Sequence, residues 1–289
     1  MRYYVKSQNQ SVAKNGNKFL KFNLISEDGV PVSAVCFSED SSIISGCVIE
    51  SSLDPKSQFP KVEPDEIYSA IPLNNLDPIP EEFQKYVVSV PTKKEFVWVV
   101  SEILGLSGKG ATKLASAILK RVEEDLYPLY SVRIAAKAMH HAYPGGLAQH
   151  TFEMLKVLKA LLEENAIPFK VNALFCLIGV LYHDYGKTLE YDEDLNYTEY
   201  MVLTPHSYLG ARAVEEHFSK YLKPESLRRI QHIILSHHGR TEWGAACVPA
   251  TVEALLVHLV DMMSGQGFAM KSCANMEKCW FTGSYVVNS

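Results

Sequence analysis

An apolar run that ends in two ionisable residues constrains the fold of this chain most strongly. The run from Val171 to Leu181 predicts a buried helix, and Gly186 predicts where that helix stops. His183 and Asp184 lie at this end. Burying an imidazole beside a carboxylate costs free energy unless a ligand pairs with them. A divalent metal ion meets that need, because transition metals bind both donor types.

Further candidate ligands stand beside other segments with a helical spacing of apolar residues. His150 and His206 lie near the starts of two such segments, and Asp261 follows an apolar run near the C-terminus. His237 and His238 end a fourth segment. Adjacent side chains on a helix point about 100° apart, so the spacing does not choose between the two. His237 is the preferred ligand, with His238 orienting it or touching the substrate.

The spacing of apolar residues changes along the chain. Residues 1 to about 72 contain short β-rich stretches separated by turns such as Asn15-Gly16-Asn17, which predicts a small barrel. From about residue 93 the spacing is helical. The predicted domains are 1–75 and 93–289, joined by a linker over 76–92. Helices are predicted at about 147–164, 168–183, 205–221, 225–238 and 250–264.

The net charge of −5 provides no general attraction to nucleic acid, so any such contact needs a local basic patch. Lys18 and Lys21 precede the first acidic residue of the chain. They are interleaved with aromatic residues that could stack bases while the cations follow a nucleic-acid backbone. A solvated basic edge over an ordinary core is the alternative. The aromatic residues are Tyr3, Tyr4, Phe19 and Phe22.

The N-terminal residues contain no apolar segment of signal-peptide length. No apolar run reaches the roughly 18 residues needed to cross a bilayer. The six cysteines are scattered, which is typical of free thiols in a reducing compartment. These features predict a cytoplasmic protein without membrane contact.

Three motifs carry a resemblance to a known family. The first ends in Gly145-Gly146-Leu147-Ala148-Gln149-His150, the second is His183-Asp184-Tyr185-Gly186-Lys187, and the third runs from His237-His238-Gly239 to Glu242-Trp243-Gly244. Together they resemble the YhaM-type 3′–5′ exoribonucleases, over about residues 132–262. These proteins join an N-terminal OB-fold, which binds single strands, to a helical HD domain of metal-dependent phosphohydrolases. The resemblance implies a multidomain α and β protein, with a small OB-like β-barrel followed by an all-α HD-domain bundle.

The resemblance also implies a centre with two metal ions. His150, His183, Asp184 and Asp261 would surround one ion, and Asp184 would bridge to a second ion held by His206 and by His237 or His238. The implied cofactor is a divalent transition metal, with Mn²⁺ preferred and Fe, Co or Ni as alternatives. Lys187 would hold a phosphate oxygen, although a lysine at this position could instead complement a helix dipole. The implied catalytic residues are Asp184, Lys187 and His238.

Other residues are candidates for substrate contact. His140 and His141 precede the site and could touch the terminal nucleotide, or they could be structural. Trp243 could stack a base at the rim of the cleft, or it could pack beneath a loop. The chain also departs from the family at Pro205, at Ala245-Ala246 and at Ser264, where the family usually has Gly, Ser-Pro and Asp. The ligand set is unchanged by these departures.

The predicted function is a metal-dependent 3′–5′ exonuclease that hydrolyses single-stranded RNA, and also DNA as an open alternative, with water activated by two metal ions. Two other functions stay open. One is an HD phosphohydrolase acting on a small nucleotide, and the other is a non-catalytic nucleic-acid-binding protein of a mobile element. Self-association of the chain is also left open.

Overall fold

In a computed structural model of the chain, the turn predicted at Asn15-Gly16-Asn17 joins the first two strands. Gly16 has a φ of 86°, which a glycine adopts without steric penalty. The amide of Ala13 donates to the carbonyl of Asn17 over 2.8 Å and closes the turn. The structure describes residues 1–13, 15–38, 44, 46–84, 86, 90–108, 110, 112–136, 141, 143–191, 197–272, 279 and 285–287.

The N-terminal strands form an antiparallel half-barrel. The strands are β1 (Arg2–Val12), β2 (Lys18–Ser26), β3 (Pro31–Cys36), β4 (Cys47–Glu50) and β5 (Ile71–Pro72), in the sheet order β3-β2-β1-β4-β5. The register of β1 against β2 shifts between Val5 and Ser7, where the long strand bends. Val35 of β3 also bridges Lys61 in parallel, so the chain curls back beside the free edge of β3. This arrangement confirms the predicted OB-like fold.

Alternating burial explains why β2 faces a core. Leu20, Phe22 and Leu24 are buried, whereas Lys21 and Asn23 between them are exposed. Tyr3 and Phe22 are each 1% exposed and Tyr4 is buried as well. The prediction that these three aromatic rings could stack bases is therefore wrong, because all three rings fill the interior of the strand unit.

A second apolar layer covers the other face of the sheet. Tyr4 stacks on Tyr86 with ring centroids 4.6 Å apart, and it also contacts Phe83. Leu76 and Ile79 pack against the same cluster. Two short helices lie in this part of the chain, α1 (Pro64–Tyr68) and α2 (Glu81–Gln84). The described residues of 1–89, with those of 136–144, form one structural unit.

The described residues of 90–135, 145–192 and 197–289 form a second, helical unit. Its core contains α7 (Ala173–Tyr182), in which every residue from Leu174 to Tyr182 is buried. A helix that is apolar on all sides needs neighbours all around it, and α7 contacts α3, α6, α10, α11 and α12. The other helices are α3 (Lys93–Leu106), α4 (Lys113–Arg121), α5 (Tyr127–Tyr130), α6 (Gly146–Glu163), α8 (Lys187–Glu190), α9 (Glu199–Leu203), α10 (His206–Phe218), α11 (Pro224–Ser236) and α12 (Val252–Ser272).

The ends of α7 differ from the prediction in two ways. The helix starts at Ala173 rather than near 168, because the Asn172 side chain accepts a hydrogen bond from the amide of Phe175 and caps it. Gly186 does not stop the helix in a left-handed conformation, since its φ is −62°. Its role is steric: a Cβ at Gly186 would lie 2.4 Å from the carbonyl oxygen of His206. The absent side chain lets α10 start directly beside the end of α7.

The remaining long helices agree with the prediction to within a few residues, except that α12 continues to Ser272 instead of ending near 264. Within the part of the chain that the structure describes, no helix is both long and apolar enough to cross a membrane. The boundaries 1–75, 76–92 and 93–289 stay predictions.

Candidate metal centre

Helix ends bring five imidazoles together in the helical unit. His183 directly follows α7 and His237 directly follows α11, while His206 opens α10 and His150 lies in the second turn of α6. The Nε2 atoms of His150 and His183 are 3.2 Å apart. The Nε2 atoms of His206 and His238 are 3.3 Å apart. Both pairs therefore direct the same ring nitrogen toward a shared centre.

Asp184 lies between the two pairs. Its Oδ2 is 3.3 Å from His183 Nε2 and 3.7 Å from His150 Nε2. Its Oδ1 is 3.5 Å from His206 Nε2 and 3.7 Å from His237 Nε2. Each carboxylate oxygen thus faces a different set of imidazoles.

In four of the five imidazoles, the ring nitrogen that points away from the centre is anchored. Nδ1 of His183 bonds the carbonyl of Val180 over 2.8 Å, and Nδ1 of His237 bonds the carbonyl of Ile234 over 2.6 Å. Nδ1 of His206 bonds the carboxylate of Glu190 over 2.9 Å. Nδ1 of His150 lies 3.0 Å from the hydroxyl of Ser264. An imidazole whose far nitrogen donates keeps the lone pair of Nε2 free for a metal ion.

Asp261 and Lys187 add two charged groups beside His150 and Asp184. Asp261 Oδ1 lies 3.3 Å from His150 Nε2, and Lys187 Nζ donates to Asp184 Oδ2 over 2.8 Å. Burial alone would raise the pKa of Asp184, but Lys187 and His183 hold that pKa well below its ordinary value. Burial lowers the pKa of Lys187, yet Asp184 outweighs it and raises that pKa. Asp184 and Lys187 are therefore both ionised near neutral pH.

His237 and His238 stay neutral near pH 7. Burial and the nearby His238 and His183 hold the pKa of His237 well below its ordinary value. Burial and the neighbouring His206 lower the pKa of His238 to about 4. A neutral imidazole offers a lone pair, which is the form that binds metal ions.

The donor set fits divalent metal ions. Among the described residues, one group of possible ligands is His150, His183 and Asp184, and another is His206, His237 and His238; within each group the ligand atoms lie within 4.8 Å of one another. Asp184 Oδ1 and His237 Nε2 are buried polar atoms without a hydrogen-bond partner among the residues that the structure describes. Such atoms are costly to bury, and coordination to a cation would satisfy both. Imidazole and carboxylate ligands together suit transition metals.

A loop shapes the approach to His237 and His238. Nδ1 of His258 bonds the carbonyl of His237 over 2.7 Å, so His258 supports this loop. Trp243 is 50% exposed, and the guanidinium of Arg240 lies 5.0 Å from the centroid of its indole ring. The indole is half exposed and also pairs with the Arg240 cation.

The remaining predicted substrate residues lie elsewhere. His140 lies outside the described residues. His141 belongs to the strand unit, where it is fully buried with its ring 6.0 Å from that of Tyr143. Lys18 and Lys21 are exposed on β2 of the same unit.

Sequence reasoning missed several residues that contact this centre or the exposed sheet face. Glu190, Ser264 and Glu153 belong to the hydrogen-bond network behind the imidazoles, and helical spacing from His150 and Asp261 could have pointed to the last two. Phe37 and Lys61 lie beside Phe19 and Lys21, and the two phenylalanine rings are 5.9 Å apart. Lys21 Nζ is 5.6 Å from the ring centroid of Phe19, and Lys61 Nζ is 5.5 Å from that of Phe37. Strand pairing alone brings these residues together.

The comparisons with known proteins agree with this geometry. The model of the HD domain family matches residues 147–265. The chain is 27% identical over 203 residues to the 3′–5′ exoribonuclease YhaM of Listeria welshimeri, covering 68% of this chain and 61% of the relative. The YhaM protein of Geobacillus sp. strain WCH70 is 28% identical over 190 residues, with 63% and 55% covered. That of Halalkalibacterium halodurans is 26% identical over 269 residues, with 90% and 80% covered. No solved structure matches the chain.

Residues 147–265 of the helical unit therefore match the HD domain of metal-dependent phosphohydrolases, and this match implies divalent metal binding. The chain is similar to YhaM-type 3′–5′ exoribonucleases over 63–90% of its length, which confirms the resemblance. The matches span 61% and 55% of the length of the first two relatives.

Proposed function

We propose that this protein is a metal-dependent 3′–5′ exoribonuclease that acts on single-stranded RNA. The observation that carries the proposal is the position of Asp184 between two sets of imidazoles. Its Oδ2 faces His150 and His183, and its Oδ1 faces His206 and His237. A carboxylate shared in this way suits a bridge between two cations. The names of the relatives support the direction and the substrate.

The first ion would be held by His150, His183, Asp184 and Asp261. The second would be held by Asp184, His206 and one or both of His237 and His238. When bound, two divalent ions, with Mn²⁺ as the first candidate, supply an activated water and stabilise charge on the reacting phosphate. The side chains would bind and orient the substrate.

Lys187 has the position and charge to hold a phosphate oxygen. Its ammonium is already paired with Asp184 Oδ2 and stays protonated because Asp184 raises its pKa. A fixed cation next to the reacting phosphate stabilises charge that develops in the transition state. His238 is neutral, with a buried Nδ1 that has no hydrogen-bond partner in the described part of the chain. With Nε2 directed at the metal centre, Nδ1 carries the imidazole proton and could donate a hydrogen bond.

Two surfaces would bind the single-stranded RNA. In the helical unit, Trp243 would stack a base and Arg240 would contact the backbone. In the strand unit, the exposed face of β2 and β3 presents Phe19 and Phe37 with their flanking lysines Lys21 and Lys61. Lys18 precedes Phe19 and extends the basic edge. Aromatic rings interleaved with cations bind single strands with little sequence preference.

The reaction is tested with one RNA labelled at either end. In the presence of Mn²⁺, a 3′-end label should be released at once as a mononucleotide, while a 5′-end-labelled strand should shorten gradually. His183→Ala combined with Asp184→Ala should abolish release, and Glu225→Gln on the exposed side of α11 serves as the matched control. Activity that survives in the double variant would overturn the proposal.

The same assay separates the alternatives. Turnover of free nucleotides with intact oligonucleotides would favour a small-nucleotide phosphohydrolase. Tight binding of RNA without metal uptake or hydrolysis would favour a non-catalytic binding protein. A parallel digestion of single-stranded DNA decides whether the sugar is distinguished.

The sheet face is tested by binding to a phosphorothioate RNA without added metal. Phe37→Ala combined with Lys61→Ala should weaken binding by about tenfold, since stacking on one base is worth about 1–3 kcal/mol. Phe59→Ala, an equally exposed ring at 66% accessibility, is the control. Equal affinities in both variants would remove the face from the binding model.

A further inference from the structure

The hydrogen bonds behind His150 form a chain of three groups from two helices. Nδ1 of His150 lies 3.0 Å from Ser264 Oγ. Ser264 Oγ in turn donates to Glu153 Oε2 over 2.7 Å. His150 and Glu153 are one turn apart on α6, and Ser264 comes from α12, one turn after Asp261. The imidazole is fully buried and Ser264 is 8% exposed, so solvent hardly competes.

The direction of these bonds fixes the tautomer of the imidazole. A serine hydroxyl has one proton, and here the carboxylate of Glu153 takes it. Ser264 Oγ can then only accept from His150, so the imidazole proton lies on Nδ1. The lone pair of the imidazole is left on Nε2, which faces His183 and Asp261. The bond from Gln149 Nε2 to Glu153 Oε1, 2.8 Å long, holds the carboxylate in place from its other side.

We infer that Ser264 and Glu153 are positioning residues that present His150 to the metal centre in a single tautomer. The inference rests on the proposed metal centre. It assigns Glu153 the same task for His150 that Glu190 performs for His206, acting here through a serine hydroxyl. A carboxylate behind a histidine ligand also makes the ring a better donor.

The test is the affinity of the full chain for Mn²⁺, measured by competition with a metal-chelating fluorophore. Ser264→Ala and Glu153→Gln should each weaken binding by about 10–100-fold, the usual effect of losing a group behind a metal ligand. Ser101→Ala is the matched control, because it removes a half-buried helix hydroxyl that bonds the carbonyl of Val97 within its own helix. Its affinity should equal that of the wild type.

A relocation variant distinguishes positioning from mere packing. Ser264→Asp combined with Glu153→Gln keeps the charge and puts the carboxylate directly behind the ring, so it should recover most of the lost affinity. Nitrogen NMR of the metal-free protein gives a second readout, because His150 should be protonated at Nδ1 in the wild type and a mixture of tautomers in Ser264→Ala.

The outcomes separate the inference from the proposed function. Unchanged Mn²⁺ affinity and tautomer in Ser264→Ala would overturn the inference while leaving the exonuclease intact. A wild-type protein that takes up no divalent metal would overturn both.

Discussion

The imidazoles of this centre are anchored in two different ways. His183 and His237 follow the last residues of α7 and α11, and each bonds a backbone carbonyl three residues earlier. His150 and His206 lie near the starts of α6 and α10, and each depends on a side-chain carboxylate, Glu153 through Ser264 or Glu190 directly. The first pair is oriented by helix geometry alone. The second pair is oriented by particular residues that a substitution can remove.

This difference predicts unequal sensitivity to mutation. A backbone carbonyl persists whatever the side chains are, so the backbone-anchored pair needs only that the two helices end where they do. The carboxylate-anchored pair has additional positions at which activity can be lost or tuned. Substitutions behind the rings should therefore act on one pair and spare the other.

The largest effect is expected at Asp184, whose carboxylate faces all four of these histidines. Asp184→Asn removes the charge that faces both pairs and leaves an amide whose nitrogen cannot bind a cation. Losing several kcal/mol of electrostatic stabilisation reduces metal affinity and activity by about a thousandfold or more. Mn²⁺ titration and RNA digestion measure the two effects, with the exposed Asp65→Asn as the control. Activity within tenfold of the wild type would show that Asp184 is not a ligand to both ions.

A smaller effect is expected from Gly186→Ala. The new Cβ would lie 2.4 Å from the carbonyl oxygen and 2.5 Å from the Cα of His206, so α10 and its ligand must move away from Asp184. Overpacking against backbone costs about 1–3 kcal/mol. Gly105→Ala in α3 is the opposite case, since nothing lies within 4 Å of its added Cβ. Urea unfolding of the metal-free proteins should show a loss for Gly186→Ala and no loss for Gly105→Ala; equal changes would contradict the steric account.

Glu190→Gln sharpens the comparison by weakening only one anchor. Glu190 is 5% exposed and its carboxylate bonds His206 Nδ1 over 2.9 Å. The amide lacks the charge, so Mn²⁺ affinity should fall by about 10–100-fold. The weakened ion should be the one held by His206, seen as loss of the second of two binding steps. A uniform loss of both steps would mean that the two halves of the centre are not separately anchored.

Much of this centre could be predicted because its ligands follow helical spacing. The apolar run before His183 and the histidines at the ends or starts of other helices placed every proposed ligand beside a helix, and α6, α7, α10 and α11 lie close to their predicted ranges. The small N-terminal barrel followed from its turns and short strands, and the family resemblance implied that this barrel is OB-like. Apolar spacing is a local feature, so a single sequence is enough to locate these helices.

The hydrogen bonds behind the ligands could not be predicted, for a physical reason. Ser264 and Glu153 are 111 residues apart, and their bond depends on how α6 and α12 cross. A glycine just past a helix is the usual sign of a helix stop, but Gly186 instead permits the backbone of His206 to approach closely. Only the packing of α10 reveals this role. Phe19 and Phe37 likewise meet through strand pairing.

The smallest predicted effect concerns His238, whose Nδ1 has neither type of anchor among the described residues. Its pKa is lowered from 6.5 to about 4, chiefly by burial and then by His206. Below about pH 6.5 the unfolded chain binds a proton at His238, whereas the folded metal-free protein binds it only near pH 4. Stability therefore falls as the pH drops from 6.5 toward 4.

His238→Gln cannot bind this proton and should lose less stability than the wild type between pH 7 and pH 4.5, by on the order of 1 kcal/mol after allowance for solvent access. Burial lowers the pKa of His183, but Asp184 outweighs it and raises that pKa, which works in the opposite direction in both proteins. Burial is the largest cause of the lowered pKa of His237 and is present in both proteins, so their difference reports mainly on His238. Parallel unfolding curves at the two pH values measure this difference, and identical losses would mean that His238 is protonated as easily in the folded protein as in the unfolded chain.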